Sequence, residues 1–130
     1  MKITPNLHDA ELYALRHDAN SGTVESVFRT VAGEDAALLL SGVTRFRCTD
    51  FGLQNVVFEL MSTAWQQISF EDLHSYVIWL YTTADGEQLV SAEKIEQIVQ
   101  DVMQGKLQCV FLIPSWGAQL GAIAAEMKWQ

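Results

Sequence analysis

The stretch from Gly105 to Pro114 reads GKLQCVFLIP, and it decides how the chain divides into strands and helices. Its apolar run from Leu107 to Ile113 is short, nearly continuous and contains Val, Phe and Ile, which favours a buried strand over a helix. Helical patterns precede this run, and strand patterns precede those helices. We therefore predict a late strand that returns to a sheet formed by the N-terminal part of the chain.

Two amphipathic helices are predicted immediately before this strand. Ser69 is typical of an N-cap, and Asp72 stands at the position that completes a capping pair. Ser91 is the expected cap of the second helix, and Gly105 is its expected C-terminal stop. The apolar stripes consist of Phe70, Leu73, Val77, Leu80 and Tyr81 in the first helix and Ile95, Ile98, Val99 and Val102 in the second.

The N-terminal part of the chain predicts β-structure. Alternating side chains and clusters of β-branched residues indicate strands over Glu11–Asp18, Thr23–Val31 and Ala36–Cys48. Residues 19–22 have turn composition, so the first two strands are expected to form a hairpin. The segment Asn55–Met61 alternates less strictly and fits either a fourth strand or a helix.

A third helix is predicted after Pro114, with Ser115 as its N-cap. Its expected stripe consists of Gly117, Leu120, Ile123, Ala124 and Met127. The predicted fold class is an α+β two-layer domain, in which a mostly antiparallel sheet packs against about three C-terminal helices. There is no linker-like tract and no repeat, so residues 1–130 are expected to form one domain.

The charge of the chain is acidic and unevenly distributed. The formal net charge is -8, which argues against sequence-independent nucleic-acid binding because such binding needs a basic surface. Residues 1–48 carry six acidic and five basic side chains, whereas residues 49–130 carry ten acidic and three basic ones. The two parts therefore contribute -1 and -7, and we expect the acidity to lie on one face of the domain.

Most of this acidity lies in the two predicted helices and their connection. Between Ser69 and Asp101 there are seven carboxylates and a single cation, Lys94. These carboxylates form either the solvated face of two helices or a surface for a basic protein partner. An exposed Trp79 would add aromatic contact area to such a surface. The candidate partner-binding residues are Glu71, Asp72, Asp85, Glu87, Glu93, Glu96, Asp101 and Trp79.

The sequence predicts a cytoplasmic protein without membrane contact. Residues 1–9 contain one lysine and no following apolar stretch, so we expect neither a secretory signal nor a membrane anchor. The longest apolar runs are far shorter than the ~20 residues that span a bilayer. Cys48 and Cys109 have no CxxC companion and are expected to be reduced core thiols.

No motif indicates a metal or a cofactor. His8, His17 and His74 lack the i, i+4 spacing that places two imidazoles on one helix face, so no metal ligands are assigned. The tripeptide at residues 50–52, Asp-Phe-Gly, matches the magnesium-binding signature of protein kinases. None of the companion kinase motifs is present, so we expect no cofactor.

No catalytic residue is assigned either. Ser115 is not part of a GxSxG elbow, and a capping role explains it. Arg45 and Arg47 share one face of the third predicted strand. They either form an anion site or pair with carboxylates, and pairing is the more ordinary use of such arginines.

Three stretches carry a resemblance to a known group of proteins. They are LHDA at residues 7–10, Asp50-Phe51 followed by QNVV at residues 54–57, and PSWGA at residues 114–118, with a tryptophan near the C-terminus. Together they resemble small bacterial single-domain proteins, some families of which are regarded as immunity proteins of polymorphic toxin systems. The resemblance implies a non-enzymatic protein that binds and neutralises a cognate toxin in the cytoplasm. It implies no catalytic residues.

Three functions are consistent with these patterns. The first is an acidic immunity-type protein whose helical surface binds a basic toxin. The second is a small ligand-binding protein or enzyme with a pocket between sheet and helices, lined by Arg45, Arg47, His17 or His74. The third is a structural homo-oligomer that buries exposed Trp and Met side chains.

Overall fold

The computed structural model describes residues 4–130, which form six strands and two helices. Residues 1–3 lie outside this range. The prediction that the chain has no secretory signal rests partly on these three residues. Neither helix is long and apolar enough to cross a membrane. The elements are β1 (Glu11–Asp18), β2 (Thr23–Arg29), β3 (Asp35–Thr49), β4 (Val56–Ser62), α1 (Phe70–Leu80), α2 (Ala92–Met103), β5 (Gln108–Trp116) and β6 (Gln119–Trp129).

The strands form a closed antiparallel barrel in the order β1-β2-β3-β6-β5-β4. The barrel closes over a short seam where Glu11 of β1 lies opposite Val56 of β4. At this seam the Val57 amide donates to the Ala10 carbonyl, and the Asp9 amide donates to the Val57 carbonyl, both at 2.8 Å. Closure pairs the sheet edges there, which would otherwise present unpaired backbone groups.

The predicted N-terminal strands are confirmed, because their alternating side chains match the burial pattern of a barrel wall. β1 has the predicted bounds, and β2 and β3 differ from the predicted bounds by one or two residues at their ends. The undecided segment Asn55–Met61 corresponds to the strand β4. The two predicted helices are also confirmed, with Ser69 and Ser91 as their N-caps.

The predicted third helix is wrong, because residues 119–129 form the strand β6. Ser115 lies inside β5 rather than at a helix start. Gly117 makes the turn between β5 and β6 with a φ of 81°. A Cβ at Gly117 would lie 2.5 Å from the Gln54 carbonyl oxygen, so this turn needs glycine for both its φ and its close contact.

The predicted two-layer α+β fold with about three C-terminal helices is therefore wrong. The sheet closes on itself, and α1 and α2 cover only part of its outer surface. Two hydrophobic cores result, one inside the barrel and one between the barrel and the helices. The inner core includes Leu12, Phe28, Leu38, Leu40, Val57, Leu112 and Leu120, and the outer core includes Leu73, Val77, Leu80, Ile95, Val99, Phe111 and Ile123.

Candidate functional site

The acidic region of the sequence forms the helix pair α1–α2 and its connection, and local capping determines where each helix begins. The Ser69 hydroxyl accepts a hydrogen bond from the Asp72 amide at 3.1 Å. The Ser91 hydroxyl accepts one from the Lys94 amide at 3.2 Å. Acidic side chains in the first turn of each helix are favourable, because the N-terminal end of the helix dipole is positive.

Packing of the apolar stripes turns the acidic faces of both helices outward. Leu73 and Val77 of α1 and Ile95 and Val99 of α2 are buried in the outer core. The side chains on the opposite faces are therefore left in water. The exposed carboxylates are Glu71 and Asp72 of α1, Glu93 and Glu96 of α2, and Asp85 and Glu87 in the connection, whereas Asp101 is half-buried.

These carboxylates have no cationic partners in the part of the chain that the structure describes. No Lys, Arg or His nitrogen of residues 4–130 lies within 4.0 Å of any of them. The two ion pairs within that range, Arg29–Asp35 and His8–Asp9, lie outside the helix pair. The negative charge of the helix pair is therefore not neutralised by ion pairs.

Two of the seven candidate carboxylates have local structural roles. Asp85 accepts a hydrogen bond from the Thr83 hydroxyl, and this bond lowers the pKa of the Asp85 carboxyl. Asp101 accepts a hydrogen bond from the Gln97 side-chain amide at 3.0 Å. Both contacts lie within the connection or within α2, so they stabilise local structure without neutralising the charge.

An apolar groove of about 580 Å³ runs between the outer faces of the two helices. Its apolar lining includes Ile78 of α1 together with Val90 and Ile95, and the exposed Glu96 also lines it. The groove thus combines apolar surface with an unpaired carboxylate. Its lining residues are His74, Ile78, Gln88, Val90, Ala92, Ile95 and Glu96.

Trp79 is not part of this exposed acidic face. It is half-buried, and the Arg47 guanidinium carbon lies 4.5 Å from the centre of one of its rings. Arg47 also donates a 2.6 Å hydrogen bond to the Trp79 carbonyl oxygen. Trp79 therefore forms part of the junction between α1 and the barrel.

Arg45 contacts the same helix end. Its Nε donates a 2.7 Å hydrogen bond to the Leu80 carbonyl, and its guanidinium lies 5.4 Å from the centre of the Tyr81 ring. Burial raises the pKa of the Tyr81 hydroxyl, and the charge of Arg45 opposes that rise. The expectation that Arg45 and Arg47 share a strand face is confirmed, but they hold helix carbonyls instead of an anion or carboxylates.

Sequence reasoning missed an exposed apolar cluster near the β5–β6 turn. Phe51 and Leu53 lie in the β3–β4 loop, and Trp116 at the end of β5 is 68% exposed. The loop and the turn contact each other at Gln54 and Gly117. The signal in the sequence is the presence of two large apolar residues, Phe51 and Leu53, in the loop that follows the third predicted strand.

Metal-ligating and nucleophilic side chains are scattered within the described residues. Residues 4–130 contain no group of three or more His, Cys, Asp or Glu side chains able to hold a metal. Cys109 is buried, and burial raises its pKa to about 11, so little reactive thiolate forms at neutral pH. Burial and the nearby Asp50 raise the pKa of Cys48 as well.

Comparisons with protein-family models, with curated proteins and with solved structures found no match for this chain. The strongest candidate is the outer surface of the helix pair, called here the acidic face and defined by the exposed carboxylates Glu71, Asp72, Glu87, Glu93 and Glu96 together with the groove that Glu96 lines.

Proposed function

We propose that this protein is a non-enzymatic binding protein whose acidic face docks a basic protein partner. The observation that carries the proposal is the set of exposed carboxylates without ion pairs on the helix pair, one of which, Glu96, lines an apolar groove. Repulsion among these carboxylates costs free energy in the unbound protein, and an approaching basic surface would relieve it. Complementary charge also accelerates association and disfavours acidic competitors.

The apolar lining of the groove and the nearby carboxylates indicate what kind of partner segment would fit there. An amphipathic helix or a short extended segment would place apolar side chains against Ile78, Val90 and Ile95, and lysines or arginines against Glu93 and Glu96. The apolar contacts would supply most of the affinity, because rim charges contribute mainly to the association rate. The partner is therefore a basic protein with one apolar stripe.

An immunity-type role in the cytoplasm is the most specific form of this proposal. The sequence resemblance at residues 7–10, 50–57 and 114–118 supports it, and so does the acidic face. Nuclease toxins are basic around their substrate cleft, so an acidic inhibitor can compete with nucleic acid for that cleft. In this role the protein needs no catalytic residue and no cofactor.

Charge reversal on the acidic face tests the proposal. The test uses any toxin-like protein encoded beside the gene for this chain, and it measures growth rescue on co-expression and affinity at two salt concentrations. Glu93→Lys and Glu96→Lys should together weaken binding at least about tenfold, or about 1.4 kcal/mol, and reduce rescue. The matched control is Glu34→Lys, which makes the same charge change at an exposed position in the β2–β3 turn.

The outcomes separate the candidate functions. Absence of growth rescue together with absence of a salt-sensitive complex contradicts the proposal. The alternative of a pocket lined by Arg45 and Arg47 is disfavoured, because both arginines donate to carbonyls at the end of α1. Light scattering that shows a dimer, disrupted by substitution of Trp116 or Met103, would instead favour the homo-oligomer.

A further inference from the structure

Residues 83–87 lie in the connection between α1 and α2 and form a tight turn with the sequence Thr-Ala-Asp-Gly-Glu. The Thr83 amide donates to the Glu87 carbonyl at 2.8 Å, and the Gly86 amide donates to the Thr83 carbonyl at 3.0 Å. The Thr83 hydroxyl accepts a 3.0 Å hydrogen bond from the Glu87 amide. Gly86 has a φ of 88°, a conformation that favours glycine. Thr83 therefore takes part in each of the hydrogen bonds that close this turn.

The β2–β3 connection contains the same turn at residues 30–34, with the sequence Thr-Val-Ala-Gly-Glu. The Thr30 amide donates to the Glu34 carbonyl at 2.8 Å, and the Gly33 amide donates to the Thr30 carbonyl at 2.9 Å. The Glu34 amide donates to the Thr30 hydroxyl at 3.2 Å, and Gly33 has a φ of 83°. The residue before the glycine is alanine in this turn and Asp85 in the other. The turn thus forms without a carboxylate, so its geometry does not require Asp85.

Asp85 and Gly86 form the only Asp-Gly dipeptide of the sequence, which contains no Asn-Gly. In such a dipeptide the glycine nitrogen can attack the carboxyl of the aspartate side chain, because glycine has no Cβ that hinders the approach. Both residues are exposed, so water reaches them. Nothing lies within 4 Å of the position that a Cβ of Gly86 would take. The dipeptide is therefore sterically open to this reaction.

Thr83 holds both reacting groups in the closed turn. The Gly86 N–H, whose proton must leave, donates to the Thr83 carbonyl. The Asp85 carboxylate accepts a hydrogen bond from the Thr83 hydroxyl, which lowers the pKa of the Asp85 carboxyl and so disfavours the neutral acid, the form that can lose water. The reaction therefore requires the turn to open, and opening breaks the hydrogen bonds of Thr83.

We propose that Asp85 is a site of spontaneous isomerisation to isoaspartate and that Thr83 controls its rate. The Gly86 nitrogen bonds to the Asp85 Cγ, and the amide proton leaves with the carboxyl hydroxyl as water, which gives a five-membered succinimide. Water then opens this ring at either carbonyl. Opening at Cγ restores aspartate, whereas opening at the main-chain carbonyl leaves Gly86 bonded to Cγ, which is isoaspartate. The water that is released is taken up again, so the reaction needs no oxidant or reductant and leaves the mass unchanged.

Isomerisation would alter the structure beside the groove of the helix pair. Isoaspartate adds one methylene to the main chain, and we expect this to displace the Gly86 amide from the Thr83 carbonyl. The bridge between Thr82 and Gln88 lies directly outside the turn, and Gln88 lines the groove. The change therefore reaches the groove without changing the net charge. The reaction needs no partner, so it is independent of the proposed protein-binding function.

Incubation of the full chain at physiological temperature, followed by proteolysis and electron-transfer fragmentation in a mass spectrometer, tests the proposal. Isoaspartate at residue 85 should accumulate at least about tenfold more slowly in the folded chain than in the same chain unfolded in guanidinium chloride. Thr83→Val keeps the β-branched shape but removes the hydroxyl, and it should accelerate the reaction in the folded chain about fivefold. Thr30→Val makes the same change in the matching turn and should leave the rate at residue 85 unchanged.

Ala32→Asp gives an independent measurement, because it places a second Asp-Gly dipeptide in the turn at residues 30–34. Isoaspartate at residue 32 should form as slowly as at residue 85 while the chain is folded. Circular dichroism checks the folding of each variant, and if Thr83→Val does not fold, the wild-type comparison and Ala32→Asp decide the question. Absence of isoaspartate at residue 85 in the unfolded chain, equal rates in the folded and unfolded chains at either position, or no greater acceleration by Thr83→Val than by Thr30→Val would overturn the proposal.

Discussion

At the scale of single residues, the Asn55 side chain joins three segments of the barrel by hydrogen bonds. It is buried, and its Oδ1 accepts hydrogen bonds from the amides of Gly52 at 2.9 Å and Ala118 at 3.0 Å. Its Nδ2 donates to the carbonyls of Leu12 at 3.1 Å and Gly52 at 2.9 Å. One side chain therefore links β1, the β3–β4 loop and the β5–β6 turn.

Substitution Asn55→Ala should lower the free energy of unfolding by about 3 kcal/mol. The substitution removes four hydrogen bonds and leaves backbone groups unsatisfied, and each buried unsatisfied group costs ~1–3 kcal/mol. Urea denaturation measures the difference. The control is Gln54→Ala at the adjacent exposed position, where we expect a change within about 0.5 kcal/mol. Equal losses in the two variants would show that the loop, and not the Asn55 amide, is responsible.

At the scale of elements, α1 ends without a basic residue in its last turn. Arg45 and Arg47 from β3 supply the missing donors by binding the Leu80 and Trp79 carbonyls. Cations at this end are favourable because the C-terminal end of the helix dipole is negative. Arg45 and Arg47 thus anchor the helix pair to the barrel. From the sequence, the same two arginines were expected either to form an anion site or to pair with carboxylates.

Arg47→Met should therefore destabilise the protein by about 2 kcal/mol. The methionine keeps apolar bulk beside Trp79 but removes a charged hydrogen bond and a cation–π contact. Thermal unfolding followed by circular dichroism gives the measurement. Arg29→Met is the matched control, since Arg29 has an exposed ion pair with Asp35 and a Tyr13 ring contact, and its loss should cost no more than about 1 kcal/mol. A larger loss for Arg29 would contradict this assignment.

The strand β6 shows why an element was predicted wrongly. Leu120, Ala122 and Ala124 pack into the inner core, while Ile123 packs under the helices and Gly121 lies against Phe111. Because both faces are buried, the segment lacks the alternation of polar and apolar residues that identifies a strand. Its small side chains also fit a helical spacing, so local pattern could not distinguish the two.

At the scale of the whole molecule, the two hydrophobic cores share the strands β5 and β6. In β5, Val110 and Leu112 face the barrel interior, whereas Cys109 and Phe111 face the helices. Disruption of the barrel therefore also removes the surface on which the helices pack. This arrangement couples the helix pair to the barrel.

We expect unfolding to be a single cooperative transition. Far-UV circular dichroism reports mainly on the helices. Tryptophan fluorescence includes the emission of Trp65 and Trp129, whose side chains contact each other beside the inner core. The two signals should give the same urea midpoint and slope, as they do in two-state unfolding. Loss of helical signal before the fluorescence change would contradict this coupling.

The sequence by itself determined the strands β1, β2, β3 and β5, the two capped helices and the concentration of acidity on that helix pair. These features depend on local periodicity, capping residues and composition, which neighbouring residues encode. Only the tertiary structure decided that the sheet closes, that β4 and β6 are strands, and that Arg45 and Arg47 hold α1. Each of these depends on contacts between segments distant in the chain, and no local pattern specifies which face of a segment another segment will cover.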